Sequence, residues 1–133
     1  MKSALRLFAV VLVSGCATGR LSPVQGPLSS QMPPPAYRVK MDSRDAVTAT
    51  LGKGNVCNGT CSDVVQEDPT ARDMSAEWDL VYGKGFFLAN ISGKPGVARA
   101  ILTCSKDTTV SVEFNSVRGV AKDNNGDVFK LTF

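Results

Sequence analysis

Four thiols and no imidazole define the chemistry open to this chain. Cys16, Cys57, Cys61 and Cys104 are its cysteines, and histidine is absent. Without histidine the commonest general base and metal ligand at neutral pH is missing, and most imidazole-dependent mechanisms go with it. A structural zinc shell takes four Cys or His ligands, so three thiols in the body of the chain leave it incomplete unless a carboxylate joins. Cys57 and Cys61 have three residues between them and so differ from redox motifs, which have two. The glycines between 52 and 59 lack the spacing of a phosphate-binding loop, which needs Gly-x-x-x-x-Gly-Lys-Ser/Thr opening a helix.

Acidic and aromatic residues offer three further sets. Asp123, Asn125 and Asp127 have the one-three-five spacing of an EF-hand loop. The sixth position is Val128 in place of Gly, however, and the twelfth would fall beyond Phe133. Glu77 and Asp79, two apart on an expected helix, point in different directions and make no acid/base pair. Trp78 and Tyr82 share one helical face and are a candidate binding surface for a sugar or aromatic ligand, although such a stripe more often packs into a core. Nothing here is a catalytic constellation, so the expectation is a protein that is not an enzyme and has no cofactor. A carboxylate of shifted pKa in a deep recess would reopen the question.

The start of the chain is more informative. Lys2 and Arg6 precede the apolar run from Leu7 to Val13, followed by Ser14, Gly15 and Cys16. The run has the length of a secretory h-region and is far short of the roughly 20 residues needed to span a bilayer. Val13-Ser14-Gly15-Cys16 resembles the lipobox of bacterial lipoproteins. The resemblance implies a diacylglycerol on the Cys16 sulfur, cleavage before Cys16, and a membrane partner reached through that lipid. Ala17, where an Asp would favour inner-membrane retention, implies the outer membrane if the host has one. Several acyl chains make a durable anchor, since one alone binds only marginally. The resemblance covers the leader and Cys16 alone.

Cleavage at that point leaves 118 residues, enough for one domain. The chain's net charge of +3 includes Lys2 and Arg6, so the mature part carries +1 and shows no nucleic-acid footprint. In an oxidising compartment two of Cys57, Cys61 and Cys104 should form a disulfide, and the sequence leaves all three pairings open.

From 16 to 36 the chain holds Pro23, Pro27 and Pro33-Pro34-Pro35 among Gly and Ser. This composition predicts a disordered tether, reaching about 60 Å if fully extended. Beyond it, 37–133 reads as a single domain. Alternation predicts strands at 37–41 and 46–51, a disulfide-stapled turn follows over 52–61, and helical periodicity runs over 69–82, capped by Asp68 or Thr70 and stopped by Gly83. Further strands are expected at 85–91, 97–104 and 110–114. The last pair, 119–122 and 128–133, is joined through Asn125-Gly126, the strongest short-range hairpin signal. The fold class expected is α+β: a mostly antiparallel β-meander of five or six strands with one amphipathic helix packed on it. An all-β barrel with a short helical insertion is the alternative. The expected function is that of a non-enzymatic, membrane-anchored envelope lipoprotein presenting a protein-interaction or structural domain. The alternative is a small-ligand binder or an inhibitor of an exported hydrolase.

Overall fold

Alternating apolar and polar residues decide most of the architecture. In the computed structural model, which describes residues 17–32, 35–41, 46–51, 54–63 and 74–133, eight antiparallel strands close into a barrel. They are β1 (Ala17–Gln25), β2 (Tyr37–Met41), β3 (Ala46–Leu51), β4 (Asn55–Asp63), β5 (Ala98–Cys104), β6 (Thr109–Phe114), β7 (Arg118–Asp123) and β8 (Val128–Thr132). Each strand pairs with the next, and β1 pairs with β8 to close the ring. A short 3-10 helix, Pro27–Ser30, follows β1, and two helices, α1 (Ser75–Tyr82) and α2 (Phe86–Asn90), lie between β4 and β5.

The inward positions fill the barrel. In β2, Tyr37, Val39 and Met41 are buried while Arg38 and Lys40 are exposed. Leu21, Val47, Leu102, Val112 and Phe129 join them in one continuous core. An eight-stranded barrel is just wide enough for its own side chains to fill it, so this interior is a core and not a channel. Thr18, Arg20, Arg38, Lys40 and Thr50 face out along β1–β3 and are exposed. That is the reverse of a membrane-spanning barrel, which turns an apolar band about 25 Å tall to the lipid.

The closed barrel corrects the expected five- or six-strand meander preceded by a tether, and realises the barrel with a helical insertion instead. Three stretches account for the difference. Residues 17–25 are not spacer but β1, the strand that closes the ring. Pro23 is tolerated there because β1 pairs with β2 only from Ala17 to Leu21; beyond that point one flank needs no N–H, and a register shift follows on the β8 side. Residues 55–61, expected as part of a turn, belong to β4, which runs on to Asp63. Gly59 lets β4 approach β5 so closely that a Cβ would collide with the Ile101 carbonyl oxygen. The apolar run 85–91, expected as a strand, is mostly α2. A short run apolar throughout has no period to separate strand from helix. Here Gly83 and Gly85, both at positive φ, set the turn, and the Phe87 N–H donates to Asp79 Oδ1 at 2.9 Å.

The helix expected over 69–82 is observed as α1 from Ser75, ending at Gly83. Its proposed caps, Asp68 and Thr70, lie outside the described residues. It packs on the outside of the barrel over β7 and β8. Among the described residues no helix is long and apolar enough to cross a membrane.

Candidate functional site

Cys16 and the leader lie outside the described residues, but β1 begins at the next residue, Ala17. The disulfide joins Cys57 to Cys104, which face each other in register across β4 and β5. Cys61 is not part of the bridge; it is half-buried against the barrel core, opposite Ala100. The choice among the three pairings is therefore made by strand register.

Trp78 and Tyr82 belong to a second cluster outside the barrel wall. Trp78 is fully buried with Met74, Ile91, Val97 and Val120. Its indole Nε1–H donates to Glu113 Oε1 at 2.7 Å. The other oxygen, Oε2, accepts from Arg99 Nε at 3.1 Å and Nη2 at 2.6 Å. Glu113 points outward from β6 yet is only 1% exposed, because α1 covers it. A buried carboxylate is tolerable only when its oxygens are paired, and here both are. Phe86 stacks on Trp78 and on Tyr82, at 5.8 Å and 4.9 Å between ring centroids. The Arg118 guanidinium lies 5.5 Å from the Tyr82 ring and the Lys130 ammonium 5.4 Å, within cation–π range. The Tyr82 hydroxyl donates to the Gly119 carbonyl at 2.9 Å. Burial pushes its pKa up, against the opposing charge of Arg118, so it stays a neutral donor. This cluster fastens the helices to the wall. The Trp78 ring is packed and the Tyr82 ring half-buried, so packing is the role the geometry gives the stripe.

The other assembly of polar groups lies at the barrel end opposite Ala17. Leu28, Tyr37, Asn55, Thr108, Asp123 and Asp127 line a recess of about 340 Å³. Asp123 Oδ1 accepts the N–H groups of Asn125 and Asp127, both at 2.9 Å. Asp127, only 2% exposed, accepts the Leu28 N–H at 2.9 Å and so holds the 3-10 helix across the barrel end. Burial, with the hydrogen bond and like charge of Asp127, pushes the Asp123 carboxyl up to about 6. A shifted carboxylate in a recess is the mark named above for catalysis. Its Oδ1 is nevertheless committed to two turn N–H groups, and its carboxylate neighbour is committed to a third. Among the described residues no group of three His, Cys, Asp or Glu side chains is placed to hold a metal ion.

Glu113 and Arg99 escaped the sequence reading. Their pairing depends on register between β5 and β6, where Arg99 stands opposite Glu113. The one available signal was a carboxylate at an outward position in a strongly apolar strand. No protein-family model matches the chain, and no curated protein or solved structure shows detectable similarity to it.

Proposed function

We propose that this protein is a small, non-enzymatic envelope lipoprotein, anchored through lipid on Cys16, that presents its barrel as a protein-interaction or structural module. The observation that carries the reading is the order at 2–16: basic start, apolar run, small residues, then Cys. Two features of the barrel support it. Its interior is filled by its own side chains, which leaves recognition to the outer wall and the end loops. Its Cys57–Cys104 disulfide suits an oxidising compartment. Since β1 starts at Ala17, the anchor and the barrel have no spacer between them. The outer membrane is the favoured site, from Ala17, in a host that has one.

The test is fractionation of cells carrying the parent or Cys16→Ser, with mass spectrometry of the mature N-terminus. The parent should sediment with membranes and carry acyl chains at Cys16; the variant should do neither. A variant that sediments as the parent does overturns the anchor. Crosslinking before lysis should recover a defined envelope protein on the barrel.

The recess at the far end favours a second reading, a small-ligand binder or an inhibitor of an exported hydrolase. Its carboxylates face away from the anchor, where a cationic group of a partner could meet them. Asp123→Asn, at the more exposed of the two carboxylates, should weaken such a contact without moving the protein from the membrane.

A further inference from the structure

We infer that the outer face of β1 and β2, at the end where the chain enters the barrel, docks on an anionic phospholipid bilayer. The inference rests on the lipid-anchor reading and says how the barrel lies once anchored. Ala17 is the first residue of β1, and one strand residue spans only about 3.3 Å, so a lipid on Cys16 holds this end of the barrel against the headgroups.

The face that then meets the membrane is basic. Arg20 and Arg38 are direct cross-strand partners, and Lys40 stands opposite Thr18. All three cations are exposed. Like charges placed opposite each other disfavour a strand pair, so the arrangement needs a counter-charge. Among the described residues the ion pairs are Arg99–Glu113 and Lys122–Glu77, and neither neutralises this face. Among the described residues, Thr18 and Thr132 beside it supply hydroxyl donors, and its groove is lined by no carboxylate side chain. Thr18, Arg20, Arg38, Thr132 and Phe133 line a shallow groove of about 460 Å³, large enough for a phosphate headgroup. The same rim exposes two apolar side chains, Phe133 at 45% and Val117 at 58%. Among the described side chains, Asp107, Asp123 and Asp127 lie at the opposite end, which an anionic surface would repel. Three cations near such a surface strengthen binding about a hundredfold over a neutral one.

The test uses the mature protein purified from its host and mixed with vesicles of phosphatidylcholine alone or of phosphatidylcholine with phosphatidylglycerol. A water-soluble amine reagent then labels Lys40, on the proposed face, and Lys106, at the far end, and peptide mass spectrometry gives both rates. With phosphatidylglycerol, Lys40 should be protected several-fold relative to Lys106. The protection should vanish in phosphatidylcholine, and also at about 1 M salt, where screening acts within about 3 Å. The double variant Arg20→Gln with Arg38→Gln keeps Lys40 as the probe and should lose the protection while melting no lower than the parent. Equal labelling of Lys40 in both vesicle types, with acylation of Cys16 verified by mass, overturns the docking face and leaves the anchor standing. Protection of Lys40 on phosphatidylglycerol by a chain that carries no lipid supports the face and sinks the anchor.

Discussion

The barrel wall is buried on one side along β2 and on both sides along β6 and β7, and the two regions obey different rules. In β2, burial alternates strictly between Tyr37, Val39 and Met41 and their exposed neighbours Arg38 and Lys40. In β7, Gly119, Val120 and Ala121 are buried in succession, because Val120 faces the helices while Ala121 faces the barrel core. In β6 the same double cover hides Glu113 directly after Val112. A strand covered once can carry charges outward without burying them. Covered twice, it must pair any charge it carries, as Arg99 and Trp78 do for Glu113.

The largest effect is expected from removing 128–133, which deletes β8 and opens the ring between β7 and β1. No cooperative melt should remain by circular dichroism; a shortened chain melting at the parent's temperature would show that closure is dispensable. Next in size, Phe129→Ala in the barrel core and Trp78→Ala in the outer cluster should each cost about 3–5 kcal/mol. They should differ in extent. Phe129→Ala lowers the stability of every strand, whereas Trp78→Ala removes hydrogen-exchange protection from 74–91 while the strands keep theirs. Uniform loss in both variants would make the two clusters one cooperative unit.

Smaller again is the disulfide. Cys57→Ser with Cys104→Ser, or reduction, should cost about 2–4 kcal/mol in urea unfolding, since the bridge spans 47 residues of sequence. The smallest effect lies at the far barrel end. Asp123 titrates near 6 in the folded chain, above its ordinary value of about 4, so the folded state holds the proton more tightly. Stability should therefore fall as pH rises from about 4 through about 6 and change no further from this group above that. Asp123→Asn keeps the Oδ1 acceptor, should abolish that slope, and should stabilise the neutral-pH protein by about 1 kcal/mol after solvent screening. A slope that persists in the variant would assign it elsewhere.

The local elements were readable wherever one periodicity ruled. β2, β3, β6 and the final hairpin lie within a residue or two of their expected positions, and so does the helix end at Gly83. In β5 the faces are right as well, with Ala100, Leu102 and Cys104 inward. Pro23 and Gly59 misled because each has a second use: a proline on a one-sided stretch of strand, and a glycine at a close strand approach. The candidate sites were less legible. Asp127 reads as a turn residue and is one, but its bond to Leu28 crosses 99 positions of sequence.

What the sequence determined alone is local: the alternation that turns Val39 in and Arg38 out, the Asn125-Gly126 turn, the helix stop, and the lipobox-like order ending at Cys16. These follow from a residue's own shape and its nearest neighbours along the chain. Only the tertiary structure decided that 17–25 closes a ring, that Cys57 bridges to Cys104 and not to Cys61, and that Glu113 is buried between Trp78 and Arg99. Each of those depends on which strand lies beside which, and side-chain period constrains a strand's faces while leaving its neighbours undetermined.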